Sequence, residues 1–574
     1  MSKTKLSILL ATLALVSLIA FGLWTRPKVQ DIDSENFSAE RVVKDIEVIS
    51  QEHHSVAHPA ERAKVRQYLL ERLQELGADT IKIFEHKDLV GPENKHVVYI
   101  FDAYNILAEF APLHADSADN QNTSLMMVAH YDSRYSQPMP RQDTVWSYDA
   151  ADDGYGVGAI LETLNQALKY RSEWKQSFKI LFTDAEEPGM QGMKALWREH
   201  REVFDQVGLM INVEARGPFG PALLFETSPG SKNLVKLYQQ TARYPHTYSL
   251  TTVVYGFMPN FTDFTIVKDE IPGLNFSTIA DINHYHTNLD NFSNIQPRSI
   301  QHYGAQIVPL VHEYLTNARY CDKDILRSDE NSINFSIPLL GLLNFSKTTY
   351  TWVNILVFVC FLLILLLDII RGRAKFAQIW PTALKTLLRA IGVLLVGELI
   401  AYLSCLASCA IFKPFGIVQG VKADNIIMII ATVLMFCLLC FCYWRKRKAI
   451  QKQSAHSLRK SASQNAARMY AGNQLHGVLL LLTILSLALL LAINENLMFF
   501  IPLFAATLAM FLYRITNLRF WCLIAIALIL LHSLSFLYAL AMALTIGAFG
   551  TVLMIAYLQL KVLIPLADLF VLED

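Results

Sequence analysis

The chain has no excess of charge of either sign. Its 574 residues carry 50 lysines and arginines against 50 aspartates and glutamates, so nothing in the balance points to a nucleic-acid partner or to acidic partners in bulk. Cysteine is also scarce. There are eight, and all but Cys321 lie in apolar blocks (Cys360, Cys405, Cys409, Cys437, Cys440, Cys442, Cys522). A disulfide framework in the polar part is thereby excluded. Cys437 and Cys440 have metal-site spacing but lie in lipid-facing sequence, where packing is the expected role. No internal repeat and no low-complexity tract is present, which excludes a solenoid.

Apolar residues are abundant and unevenly spread. They make up 53% of the chain. Residues 25–320 read as an ordinary globular domain, 321–348 as a linker, and 349–574 as apolar blocks with short polar joints. Residues 6–24 form one apolar run after Lys3 and Lys5, long enough to span a bilayer. No small-x-small site follows, so an uncleaved anchor over 1–24 is expected rather than a cleaved signal peptide. Seven further spans are expected near 351–370, 390–412, 425–444, 477–493, 497–513, 520–538 and 541–560. Alternate joints are basic: Arg371, Arg373 and Lys375; the run from Arg445 to Arg468; Arg514 and Arg519; and Lys561. The positive-inside bias then puts both termini in the cytoplasm and residues 25–348 on the other side. Two ionisable residues, Glu398 and His532, fall inside expected spans. Hydrogen-bonded neutral groups between helices are the expected role, with a polar pathway as the alternative.

The globular part alternates helices and strands. Periodicity predicts helices over 39–52, 59–76, 155–170 and 298–316, the second opening at Pro59. Short apolar runs predict strands at 80–84, 104–110, 125–130, 178–183, 208–213, 222–226 and 272–277. Such alternation predicts an α/β fold, a three-layer αβα sandwich with a mostly parallel central sheet, joined to an all-α transmembrane bundle. Ligand sites in such sheets gather beyond the carboxyl ends of the strands. Five clusters of histidine and carboxylate stand there: LMMVAHYDSR (His130, Asp132), YDAADDGYGVG (Asp152, Asp153), FKILFTDAEEPG (Glu186, Glu187), LMINVEARG (Glu214) and DINHYHTNLDN (His284, His286). Each alone reads as a polar turn or a helix cap. Together they are the ligand chemistry of hydrolytic zinc, and a shared carboxylate can hold two metals close together.

The order H-x-D, DD-G-x-G, D-x-EE-x-G, N-x-E and Y-H-T resembles the co-catalytic dizinc aminopeptidases (clan MH, family twenty-eight) over about 40–318. One N-terminal helix, this domain and a polytopic C-terminal part resemble the membrane branch of that family. The branch holds the endoplasmic reticulum metallopeptidase and the fungal vacuolar membrane protease. The resemblance implies two zinc ions. His130 and Glu214 would hold one, Glu187 and His286 the other, and Asp152 would bridge them. It implies Glu186 as general base, taking a proton from the attacking water and passing it to the leaving amine. Asp132, two residues from His130 on a strand, would orient the imidazole. Glu214 stands where many soluble members have aspartate. Asp184 and Asp290 would orient loops, and Asp263 would line the cleft. His53, His54 and His58 match no family role and read as surface or helix-entry residues. The implied activity is hydrolysis of peptides, most often by removal of N-terminal residues. A glutaminyl cyclase with one zinc, or an inactive receptor or assembly module, are the alternatives. Retention of His130 and of the EE-P-G stretch argues against the first, and the complete ligand set against the second. The partners implied are a peptide substrate and the bilayer. The periplasmic side of a bacterial inner membrane, or a lumen, is the expected setting. Substrate specificity and oligomeric state are not legible.

Overall fold

A computed structural model describes residues 3–20, 27–91, 100–114, 123–136, 145–258, 260–282, 284–411 and 460–572. These form two compact units. One gathers 25–336 and 340–347, the other 1–24, 337–339 and 348–574.

The first unit is built on strands β1 (Thr80–Val90), β2 (Ile100–Phe110), β3 (Ser124–His130), β4 (Tyr135–Ser136), β5 (Val145–Trp146), β6 (Ser177–Thr183), β7 (Val207–Ala215), β8 (Leu223–Thr227) and β9 (Gly273–Thr278). Seven of them form one sheet in the order β1-β2-β6-β3-β7-β9-β8, while β4 and β5 pair as a small hairpin. The inner strands β6, β3, β7 and β9 are parallel, and β1, β2 and β8 run antiparallel at the margins. β3 and β7 are buried along their whole length, as expected of parallel strands covered on both faces.

Alternation sorts their side chains into two cores. Leu125, Met127 and Ala129 of β3 face one cluster, with Val42, Leu69, Ile160, Leu164, Ile307 and Leu310 from the helices Ala39–Ile49, Pro59–Glu75, Gly154–Leu168 and Pro297–Thr316. Met126 and Val128 face the other, with Met193 and Leu196 of Gln191–Glu199 and Phe264 and Val267 of Asp263–Val267. The result is the three-layer sandwich. Each buried Val, Leu, Ile, Phe or Met among them contributes about 1.5–3 kcal/mol. Helix starts follow local rules. Asp153 caps Gly154–Leu168 by accepting from Gly156 N (3.0 Å), Ser38 caps Ala39–Ile49, and proline opens Pro59–Glu75 and Pro297–Thr316. In the stretch expected as a linker, β10 (Ser332–Ile337) and β11 (Gly341–Ser346) form a hairpin. Phe335 bridges Tyr248 of the first unit.

The second unit contains six helices long and apolar enough to span a membrane among the described residues: Lys347–Ile370, Phe376–Ser404, Asn465–Ile493, Leu497–Thr516, Phe520–Leu544 and Phe549–Val571. Lys3–Ala20 is a shorter apolar helix. The expected span 425–444 and most of the basic joint after it lie outside the described residues. The last span is displaced from 541–560 to Phe549–Val571, so Lys561 lies inside a helix and not in a joint. Continuous apolar sequence gives no punctuation there. The break is a 3-10 turn at Thr545–Ala548. Polar groups tie this unit together. Asp368 accepts from His476 Nε2 (2.9 Å) and pairs with Arg514. Tyr350 donates to Asn496, which donates to Asn354 (2.6 and 2.8 Å). Glu398 accepts from Thr551 N (3.2 Å), and His532 is buried against Phe536.

Candidate active site

The site lies beyond the carboxyl ends of the parallel strands, where the sequence places its histidines and carboxylates. β3 ends on His130, β6 feeds the 184–187 loop, β7 presents Glu214, and the segment after β9 carries His284–Asp290. The 147–153 segment supplies Asp152 and Asp153 just before a helix. The Asp152–Asp153 peptide is cis. Asp149, Ala185 and His286 have positive φ (48°, 58° and 57°). Non-glycine residues cost about 1–3 kcal/mol each in such backbone, which is held only where surroundings demand it.

Asp152 stands between the two imidazoles. Its Oδ1 is 3.3 Å from His130 Nε2 and its Oδ2 is 3.4 Å from His286 Nε2. Glu187 Oε2 lies 3.2 Å from His286 Nε2, and Glu214 Oε2 lies 3.8 Å from His130 Nε2. Two groups of three therefore have ligand atoms within 4.8 Å of one another: Asp152, Glu187 and His286; and His130, Asp153 and Glu214. Asp153 is the member that sequence reasoning left as a neighbour of Asp152. Its place in the doubled Asp-Asp was the available signal. His284 joins neither group. It is buried, and its ring turns to Asp281 (3.2 Å to the carbonyl).

His130 Nδ1 is 3.0 Å from the Asp132 carbonyl oxygen. A carbonyl only accepts, so Nδ1 carries a proton, and Nε2 is the nitrogen turned to the Asp152 carboxylate. The Asp132 carboxylate does something the sequence did not disclose. It accepts from the backbone N–H of Glu186 (2.8 Å) and of Glu187 (3.3 Å), fixing the loop that carries both glutamates. Asp290 accepts from Ala151 N (2.7 Å) and Asp152 N (3.0 Å). Asp184 pairs with Arg62 (3.0 Å), both buried, and accepts from Tyr104 N (2.9 Å). Asp263 accepts from the Thr183 hydroxyl. Arg134, not singled out in the sequence, donates to the carbonyl and to Oε2 of Glu187 (2.6 and 2.9 Å).

The electrostatics separate the carboxylates. Burial pushes Glu186 well above the usual carboxylate range; His130 opposes this and Glu214 and Asp263 add to it. Burial also raises Glu214, to about 8. For Glu187, burial acts upward too, but His286 and Arg134 outweigh it and hold the group below the usual range. Does the donor set fit metal? Among the described residues, no donor reaches Glu187 Oε1 or Asp153 Oδ2, both buried. Acceptor-only oxygens in that state want a cation. Imidazole nitrogen with carboxylate oxygen is the set expected for zinc.

Fold and site together define a three-layer α/β domain with a histidine–carboxylate cluster suited to metal, in a chain that also has six helices long and apolar enough to span a membrane among the described residues. Residues 105–311 match the model of Peptidase family M28, the family the motifs resemble. The curated relatives fall in the membrane branch expected. The chain is 26% identical over 255 residues to "Putative endoplasmic reticulum metallopeptidase 1-A" of Caenorhabditis elegans, covering 44% of this chain and 26% of that protein. It is 27% identical over 329 residues to "Vacuolar membrane protease" of Candida tropicalis, covering 55% and 33%. The chain thus spans about a quarter to a third of these relatives' lengths. Among solved structures, the glutaminyl cyclase of Porphyromonas gingivalis aligns with a TM-score of 0.39 at 18% identity, over 49% of this chain and 100% of that one.

Proposed function

We propose that the chain is a membrane-bound, zinc-dependent exopeptidase, an aminopeptidase by the most frequent activity of the family it resembles. The observation that carries this reading is the Asp152 carboxylate set between His130 and His286, with Glu187 and Glu214 beside them. His130, Glu214 and Asp152 would hold one zinc ion, and Asp152, Glu187 and His286 the second. Asp153 is a further candidate beside His130. When bound, zinc supplies Lewis-acid chemistry at the scissile carbonyl.

The remaining work belongs to the chain. Glu187 is tied to Arg134 and His286, so it is not free to move a proton. Glu186, its neighbour, is only half-buried and has a raised proton affinity. It takes the proton from the attacking water and gives it to the leaving amine. Asp132 holds Glu186 in place through the backbone, and Asp290 does the same for Asp152. The domain faces the extracytoplasmic side, by the basic joints at 371–375 and 514–519.

Glu186→Ala in the purified full chain is expected to keep two zinc ions per chain and lose hydrolysis by about 100-fold or more. Asp152→Ala is expected to lose both ions. Metal analysis with a peptide-library cleavage assay, with and without chelator, checks both. Full activity in Glu186→Ala overturns the base, and two retained ions in Asp152→Ala overturn the bridge. One tight zinc in the unaltered chain would favour cyclase chemistry.

A further inference from the structure

Arg216 is a cation beside a site otherwise rich in carboxylate. It follows Glu214 by two residues at the end of β7. Its backbone N–H donates to Thr278 O (2.9 Å) and Ser277 Oγ (3.0 Å), where the chain bends off the end of β7. Residues two apart on extended backbone share a face. Asn212 shows which face this is: its Nδ2 donates to Glu214 Oε1 (3.1 Å). Glu214 is thus the last side chain of that face within β7, and Arg216 follows it where the chain leaves the strand.

Its surroundings fix the distance. The guanidinium carbon is 6.0 Å from the centroid of the Tyr285 ring, and that ring stacks on His286 at 3.6 Å and 24°. The guanidinium is thus no farther from the His286 ring than the sum of the two separations. A peptide residue spans about 3.3–3.6 Å, so a substrate group on Arg216 lies within about three residues of the His286 ring. All three side chains are half-buried, within reach of a ligand from solvent. A guanidinium over an aromatic face presents its N–H donors in plane, the geometry that pairs with a carboxylate. It also repels an ammonium at the same place.

We propose that Arg216 is a specificity residue that binds a substrate carboxylate near the scissile bond, so that the enzyme prefers short peptides bearing either a free C-terminal carboxylate or an acidic side chain there. This rests on the metallopeptidase reading above and adds the substrate class. The test uses the zinc-loaded full chain in detergent and three peptides of one length. The first has glutamine next to the cleaved residue and an amidated end. The second has the same glutamine and a free acid end. The third has glutamate and an amidated end. The unaltered protein is expected to favour one carboxylate-bearing peptide over the neutral one by about 10- to 100-fold in kcat/KM, chiefly through KM. Which one it favours names the source of the carboxylate. Arg216→Met is expected to collapse that ratio, and Arg216→Lys to restore part of it, with zinc content unchanged. A wild-type ratio near one, or the same ratio in Arg216→Met, overturns the proposal, and the first of these needs no variant to fold. Absence of all chelator-sensitive cleavage would instead bring down the peptidase reading beneath it.

Discussion

His54 lies fully buried beside the strand end that carries Asp132, its backbone N–H and carbonyl both bonded to Ser133 and its ring Nδ1 near the Glu52 carbonyl (2.8 Å). Burial lowers its affinity for a proton, to a pKa of about 4, against a partial rise from that carbonyl. The native state keeps the ring neutral, while the unfolded chain protonates it near 6.5. Its contribution to stability is therefore whole above pH 6.5 and declines as pH falls toward 4. The loss amounts to at most about 3 kcal/mol. His54→Gln is expected to flatten this part of the acid limb in urea denaturation, with chelator present throughout so that metal release adds nothing. An unchanged limb would remove His54 from the account. The sequence read this residue as a surface or helix-entry position, since a histidine before a proline-headed helix carries no sign of burial. Most of the ligand candidates were legible because they lie at or just past the ends of apolar strands, and Asp152 because of the doubled Asp-Asp before a helix. Arg134 and the loop-fixing carboxylate of Asp132 were not, because their partners lie about 50 residues away.

Among elements, the inner strands were legible almost to the residue. The expected runs 125–130 and 178–183 became Ser124–His130 and Ser177–Thr183, since unbroken apolar stretches between turns admit few other readings. β1 and β2 proved longer than expected, because their outer halves are amphipathic edge sequence with weaker signals. The bundle was less legible, since one apolar residue serves a helix as well as the next. Helix Gln191–Glu199 shows how tightly elements seat around the site. A Cβ on Gly192 would lie 1.9 Å from the Asp184 carbonyl oxygen and 2.7 Å from Asn105 Oδ1. Neither can yield without moving the loop that holds Glu186 and Glu187. Gly192→Ala is expected to cost about 1–3 kcal/mol and to reduce hydrolysis, read by thermal melting and peptide cleavage together. Unaltered melting and turnover would show that the packing gives more readily than these distances allow.

For the molecule as a whole, the two units divide the physical work. The first packs acids where water is scarce: Asp152, Asp153, Glu187 and Glu214 are all buried. Without cations their mutual repulsion weakens the native state. Chelation is expected to lower the melting temperature of this unit alone. Zinc at a thousandfold excess over its Kd should restore about 4 kcal/mol, while the helical bundle keeps its circular dichroism. Identical melting with and without zinc would contradict the charge argument. The expected boundary between polar and apolar halves rests on composition alone, and the expected side of the membrane for each loop on the arginines and lysines between spans. The scatter of the site along the chain also bears on biosynthesis. From His130 to His286 the ribosome adds 156 residues, roughly 8–30 s of elongation. During that interval the nascent chain holds only part of the candidate ligand set, so the proposed chemistry has no complete site until almost the entire domain has emerged.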